Sequence, residues 1–322
     1  MPELRSLEVF YWVAKLRSFR GAAERLHTTQ PAVSQRIAAL ESEFGVKLFD
    51  RVARTVGLTP KGRELLDYAE RMLRLRADLM RAVATPASLS GMMRLGVSET
   101  IVHTWLARFI ERLNATYPGI ILEVAVDVSP NLRDALVAHE LDLAFLLGPV
   151  SQPNMTNYDL CRYPLAFVAR SDMDLGPEPL PLERLIERPI ITFPKTTRPY
   201  LALRERLSRQ NLPPARIFSN TSLSTIVKMT EDGIGISAIP PVIIPRELES
   251  GVLRVVKTEV TLPDLFFTAS LPVTPDGLIA DPVAQLAIEI ARESTRSGQT
   301  SMPTRQMSIE KELESVRIEQ VR

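Results

Sequence analysis

Between Thr29 and Arg36 the chain gathers two primary amides, a hydroxyl and a guanidinium: Gln30, Ser34, Gln35 and Arg36. Amide and guanidinium forks match the edges of base pairs, and hydroxyls can pair with several of them. On the first turns of an exposed helix such groups suit the major groove of duplex DNA. Thr29 reads as the helix N-cap, and Pro31 falls in the first turn, where its missing N–H costs nothing. Val33, Ile37 and Leu40 recur at helical spacing and form the face that packs. The preceding stretch, with Ala22, Ala23 and Leu26 as its apolar face, reads as a second helix joined by a tight turn at His27 to Thr29. Any helical hairpin could carry this pattern, so the hairpin alone leaves a purely structural role open.

A second pair of candidates lies downstream. Asp50 to Pro60 reads as a short two-stranded wing pinned by Leu48, Phe49 and Leu58, with Arg51 and Arg54 toward solvent. Arginines on a projecting wing can reach phosphates or a narrow minor groove. Taken singly, each reads equally well as a solvated loop charge.

The elements that must hold these groups follow from periodicity. Leu4, Leu7, Phe10, Tyr11, Ala14 and Leu16 mark a first amphipathic helix for the hairpin to pack on. Thr59-Pro60-Lys61-Gly62 opens a long helix to about Ala84, with apolar positions 65, 69, 72, 76, 79 and 83 stepping by four and three. That is a coiled-coil seam with Arg76 inside it, and a second copy of the helix is its natural partner. Residues 85–91 are a hinge by composition. From residue 92 the pattern changes to short strands alternating with helices, which predicts parallel sheets in an α/β body. The expected strands include 92–97, 120–128, 141–147, 164–170, 189–193, 216–220, 233–240, 253–256 and 265–271. Expected helices include 100–116, 131–139, 198–209, 222–231 and 281–292. Residues 296–322 read as a flexible polar tail.

Composition bounds the class. The chain has 322 residues, 45 % hydrophobic and 24 % charged, with a net charge of +1. Residues 1–85 hold 15 Lys and Arg against 10 Asp and Glu, so a basic N-terminal piece precedes an acidic remainder. That asymmetry fits a DNA-binding head on a body that does not bind DNA. No apolar run approaches the roughly 20 residues of a membrane span, and the N-terminus does not read as a signal peptide; the expected compartment is the cytoplasm. The single cysteine, Cys161, excludes an internal disulfide framework, and no Cys/His cluster suggests zinc or another metal. No catalytic residue set emerges: the chain lacks a nucleophile-elbow serine, a phosphate-binding loop and a dinucleotide-binding glycine fingerprint.

With these parts in order, the chain resembles the LysR-type transcriptional regulators from Leu4 to about Arg292. The resemblance is carried by Ser18–Leu26 (S-F-R-G-A-A-E-R-L), Gln30–Glu41 (Q-P-A-V-S-Q-R-I-A-A-L-E), Gly45–Arg51 (G-V-K-L-F-D-R) and Leu58–Gly62 (L-T-P-K-G). Leu141-Asp142-Leu143-Ala144, Gly148-Pro149 and Gly233-Ile234-Gly235-Ile236 extend it downstream. It implies a multidomain α/β protein. A winged helix-turn-helix spans 1–60, a dimerisation helix 61–84, and a periplasmic-binding-protein-like effector domain 92–295. That domain divides into subdomains 92–163 with 269–295, and 164–268. The implied partners are promoter double-stranded DNA, a second copy in a homodimer or homotetramer, a small-molecule effector, and RNA polymerase; no cofactor is implied.

The family's DNA-contacting positions fall on Thr29, Gln30, Pro31, Ser34, Gln35 and Arg36, with Arg51 and Arg54 on the wing. Many members place Arg directly after the helix serine; here Gln35 takes that place, which shifts the expected preference from guanine toward adenine. The effector cleft is expected where strand ends meet helix N-termini, at Ser98, Thr100, Ser129, Thr196 and Thr197. Hydroxyls with helix N–H groups favour an anion, an organic acid by the resemblance. Each hydroxyl also reads as an ordinary N-cap, and Glu99 keeps a neutral or amino-bearing effector open. Other readings are an enzyme or solute-binding module on the α/β body, and a redox sensor, which the lone Cys161 disfavours.

Overall fold

The computed structural model describes residues 3–50, 56–83, 85, 89–208, 212–275 and 277–301. Arg51 and Arg54, and residues 302–322 of the expected tail, lie outside the described residues.

The head is built from three helices, α1 (Leu4–Leu16), α2 (Phe19–Arg25) and α3 (Gln30–Phe44). Phe10, Trp12 and Val13 of α1 are fully buried, and Ala22, Val33, Ile37 and Leu40 of the hairpin close over them. Ser18 caps α2 by accepting the Gly21 N–H at 3.0 Å. Gly45, with a left-handed φ of 67°, ends α3. The wing strands β1 (Phe49–Asp50) and β2 (Gly57–Leu58) pair antiparallel. Their base is tied down by Glu41, whose carboxylate accepts the Leu48 N–H at 2.9 Å and pairs with Lys47. Burial pushes that carboxyl up, but Lys47 and the Leu48 and Phe49 N–H groups outweigh it and hold it below the usual range.

Helix α4 (Pro60–Val83) starts where Thr59 accepts the Gly62 N–H at 2.9 Å and donates to the Lys47 carbonyl at 2.8 Å. Ala69 and Leu73 join the core of the head, with Leu65 and Leu66 half-buried beside them, and Ala77 is buried further along the helix. Of the seam expected at 65, 69, 72, 76, 79 and 83, Leu65 and Ala69 pack into the core of the head, while Met72, Arg76, Leu79 and Val83 stay exposed, with Tyr68 and Leu75 beside them. The exposed positions 72, 76, 79 and 83 keep the steps of four and three.

The body has two lobes. In lobe I, β3 (Ser90–Val97), β4 (Gly119–Val126), β5 (Leu143–Leu147), β6 (Met155–Tyr163) and β12 (Leu265–Pro272) form one sheet in the order β4-β3-β5-β12-β6. Helices α5 (Glu99–Val102), α6 (Leu106–Thr116), α7 (Ser129–Val137) and α12 (Ala280–Ser301) flank it. In lobe II, β7 (Ala166–Arg170), β8 (Ile190–Thr192), β9 (Ile217–Ser219), β10 (Ile236–Ile239) and β11 (Leu253–Val256) run in the order β11-β7-β10-β8-β9. Its helices are α8 (Leu182–Leu185), α9 (Arg198–Leu207), α10 (Leu223–Glu231) and α11 (Pro245–Glu249).

Several expectations are corrected. The sheets are mixed rather than parallel: β12 runs antiparallel to β5 and β6, and β7 to β10 and β11. Strand β6 carries no clean alternation and is not foreseen, because it is half-exposed along most of its length. The helix expected over 100–116 is split at His103 to Trp105. The return from lobe II comes before Leu265 rather than at residue 269, because all of β12 belongs to the lobe I sheet. The last helix continues to Ser301, into the stretch read as tail. The two crossings run side by side, since β6 pairs with β12 in one lobe and β7 with β11 in the other. This paired connection is a hinge by construction.

Gly62 gives a direct test of the head's packing: a Cβ there would stand 2.1 Å from the Leu48 carbonyl oxygen. Gly62→Ala is expected to cost about 1–3 kcal/mol. Thermal unfolding of the full chain, followed by circular dichroism, should show the head melting earlier.

Candidate functional site: recognition helix and interlobe cleft

On α3, burying Val33, Ile37 and Leu40 turns the opposite side outward, so Gln30, Pro31, Gln35 and Arg36 are exposed and Ser34 is half-buried. Thr29 caps the helix as expected, accepting the Ala32 N–H at 3.3 Å. The structure thus brings the hairpin candidates Thr29 to Arg36 together on one rim. Arg36 is engaged there by Glu3 at 3.6 Å, a partner from α1's N-cap position that local sequence does not reveal. Both side chains are largely exposed, so a phosphate can compete for this guanidinium.

The cleft lies at the C-terminal ends of the parallel strands. Ser98 follows β3, its N–H donating to the Phe145 carbonyl at 2.9 Å. It occupies the N-cap position of α5 but makes no cap bond, and its hydroxyl is buried without a hydrogen-bond partner among the described residues. Ser129 opens α7, and its hydroxyl accepts the Leu147 N–H at 2.9 Å, tying the ends of β5 and α7 together. Thr100 is buried beside Ser98. On lobe II, Thr197 precedes α9 but donates to the Pro194 carbonyl at 2.7 Å instead of capping, and Thr196 is exposed. The N-cap reading of Ser98, Ser129 and Thr197 therefore fails. Of these three, Ser98 alone has a hydroxyl without a hydrogen-bond partner among the described residues.

Among the described residues three polar contacts join the lobes across this cleft, one of them between the Ser224 hydroxyl and His103 Nε2 at 3.5 Å. Glu99 accepts the Leu223 N–H at the start of α10 at 2.7 Å, with the Ser222 hydroxyl 3.5 Å away. His103 lies 3.6 Å from the same carboxylate. A carboxylate at a helix N-terminus meets unpaired N–H groups and the positive end of the helix dipole. Arg198 donates from the start of α9 to the Gly148 carbonyl at 2.9 Å. In the sequence Glu99 reads as a charge that speaks against an anionic ligand; in the fold that charge is engaged by α10. Arg198 closes the stretch 194–198 expected at the cleft from the sequence, whereas Leu223 is not expected there; the serine-capped start of α10 at Ser222 is the signal that points to it.

Cys161 sits on β6, partly buried. Burial pushes its thiol up to about 11, so the reactive thiolate is scarce at neutral pH. Among the described residues no group of His, Cys, Asp or Glu could hold a metal ion, and no helix is long and apolar enough to cross a membrane.

A helix-turn-helix head, a long connecting helix and a two-lobed body with an interlobe cleft define a DNA-binding regulator with a ligand-binding domain. The family comparisons agree. Residues 4–63 match the bacterial regulatory helix-turn-helix protein, lysR family, and residues 86–295 match the LysR substrate binding domain. The chain belongs to the LysR family of bacterial transcriptional regulators, and its helix-turn-helix is the DNA-binding part. It is 29 % identical over 240 residues to the HTH-type transcriptional regulator CzcR of Bacillus subtilis, covering 74 % of this chain and 80 % of that one. It is 26 % identical to GltR of the same organism, covering 78 % and 84 %. Among solved structures, a cysteine-to-aspartate variant of full-length OxyR from Pseudomonas aeruginosa superposes with a TM-score of 0.60 at 22 % identity, over 90 % of this chain and 94 % of that one. CzcR and GltR are both transcriptional regulators.

The Glu99 bridge is testable. A charge-assisted hydrogen bond contributes about 1.5–3 kcal/mol, so Glu99→Gln should loosen the lobes. Hydrogen exchange at the Leu223 amide is expected to speed up by roughly ten- to a hundredfold; unchanged exchange would mean that the carboxylate does not hold this helix.

Proposed function

We propose that the chain reads operator DNA as a dimer or tetramer through Gln30, Pro31, Ser34 and Gln35, with Thr29 and Arg36 nearer the sugar-phosphate backbone. Arg51 and Arg54 of the wing would contact phosphates or the minor groove. The observation that carries this reading is the exposed amide rim of α3, Gln30 and Gln35 with half-buried Ser34 beside them, held rigid by the buried stripe Val33, Ile37 and Leu40. The dimer is supported by the uncovered stripe of α4, where Leu79 is 61 % and Val83 74 % exposed. Side chains of this size in coiled-coil register call for a second copy of the helix. RNA polymerase enters this reading only as the partner a promoter-bound regulator meets.

The effector is a small organic acid bound between the lobes near Ser98, Thr100, Ser129, Thr196 and Thr197. The buried Ser98 hydroxyl, without a partner among the described residues, supports this placement. A buried polar group of that kind is costly unless a ligand or water satisfies it. Engagement of Glu99 by the N-terminal end of α10 turns that carboxylate away from a free role and lessens its opposition to an anion, and Arg198 adds positive charge at the rim. Closure of the lobes on such a ligand would change their angle about the paired β6–β12 connection.

Gel-shift binding to DNA upstream of the protein's own gene tests the first half. Arg51→Ala or Arg54→Ala should weaken binding to all sequences alike and lower the salt slope by about 1. Gln35→Ala should relax preference at one base pair, worth about 1–3 kcal/mol of discrimination, in a binding-site selection. An unchanged selection would refute the role given to Gln35. For the second half, titration of the full chain with a panel of carboxylic acids should give a hit that Ser98→Ala with Ser129→Ala weakens at least tenfold. A hit indifferent to both substitutions would place the site elsewhere.

A further inference from the structure

At the end of the lobe I sheet opposite the cleft, a carboxylate is shared by two guanidinium groups from different parts of the chain. Asp142, just before β5, accepts the Arg94 backbone N–H at 2.8 Å and that residue's side chain at 3.2 and 3.3 Å. Arg94 also donates to the His139 carbonyl at 2.9 Å. The second guanidinium is Arg25, the last residue of α2 in the head, which donates to the same carboxylate. Its flat face lies 4.5 Å over the Trp12 ring, and that ring meets the His139 imidazole edge-on at 5.4 Å.

Burial sets this contact apart. The Arg25 and Asp142 side chains are 17 % and 12 % exposed, whereas Arg20 and Glu24 on the same helix pair at 82 % and 66 %. The exposed pair is of the kind that contributes little. Burying a charge pair between two separately folded units costs desolvation, which is recovered only in one geometry. Such a pair selects an orientation more than it adds stability. Burial pushes the Asp142 carboxyl up, but Arg25 and Arg94 outweigh it and keep it ionised at neutral pH. Docking leaves Gln30, Gln35 and Arg36 exposed, so it does not mask the DNA-reading rim.

We propose that this surface of lobe I, formed by Arg94, His139 and Asp142, is a docking site for the chain's own DNA-binding head, with Arg25 as its charged key. The placement gives the site a purpose. Strands β3 and β5 pair in parallel from Leu95 and Leu143 upward. They carry Arg94 and Asp142 at one end, and Ser98 and the Ser129-bound Leu147 at the other. At about 3.3 Å per residue the two ends are roughly 15 Å apart. The head is thereby seated on the same two strands that form the floor of the cleft, so its angle is referred to the ligand-binding lobe and not only to the connection after α4.

Spin labels at Thr28→Cys and Glu140→Cys, in a Cys161→Ser full-length chain, test this by pulsed dipolar spectroscopy. Labelled chains are assembled with an excess of unlabelled chain so that within-chain distances are read. The expected result is one narrow distance distribution, retained in Arg25→Lys and in the exposed control Arg20→Glu, and broadened in Arg25→Glu. If Arg25→Glu does not fold, judged by helical circular dichroism, Arg25→Gln takes its place, keeping the stem on Trp12 without the charge. A broad distribution in the starting protein overturns the proposal, as does a narrow one that survives loss of the Arg25 charge. A narrow distance that disappears on dilution with unlabelled chain also overturns it, by seating the head on a second copy. The measurement uses neither DNA nor effector, so its failure would leave the regulator reading standing.

Discussion

The architecture depends on where β12 lies. The strand returns from lobe II and inserts between β5 and β6, pairing with both. Lobe I is incomplete until this late strand arrives, so lobe II is in effect an insertion into lobe I. The chain must cross between lobes twice, and the crossings must be neighbours, because β6 and β12 are paired before they diverge. A two-stranded connection permits the lobes to rotate while resisting their separation. The cleft, its flanking hydroxyls and its capacity to close all follow from that constraint.

The head solves a different problem. A three-helix unit this small buries little surface, and its core relies on large aromatic groups: Phe10, Tyr11 and Trp12 are each at most 1 % exposed. Phe49 at the wing's base joins them, its ring centroid 5.4 Å from that of Phe10. Aromatic packing of this kind is geometrically specific as well as stabilising. It fixes α3 on α1 and so fixes which residues face outward. The same core takes Ala69 and Leu73 of α4, so one face of that helix is buried while Met72, Leu79 and Val83 stay exposed.

Polar groups in the body are used for alignment. Glu99 binds the start of α10, Arg198 binds the Gly148 carbonyl, and Asp142 gathers two arginines at the opposite end of the sheet. Each joins units that apolar burial alone would leave free to slide, because burial is non-directional and hydrogen bonds are not. Ser98 stands out against this background as a buried hydroxyl without a protein partner among the described residues. Its neighbours Ser129 and Thr197 have been recruited into the scaffold.

Local sequence determined a good deal by itself. The helical hairpin, its Thr29 cap, the exposed Gln30 and Gln35 beside Ser34, the long α4 and most of the strands are legible in it. Helical spacing and capping are short-range properties, so a window of a dozen residues contains their cause. Tertiary structure decided the rest. Strand direction depends on the path between lobes, so the mixed sheets and the membership of all of β12 in lobe I cannot be read from alternation. The half-exposed β6 has no pattern to find, because its neighbours rather than its own periodicity make it a strand. The first part of the seam on α4 is covered because the core of the head, made by residues far away in sequence, takes Ala69. Ser98, Ser129 and Thr197 look alike as hydroxyls before helices. Only the positions of Phe145, Leu147 and Pro194 around them show which hydroxyl is already in use. Glu99 appears in the sequence as an unpaired charge, and its partner at Leu223 is brought to it only when the two lobes meet.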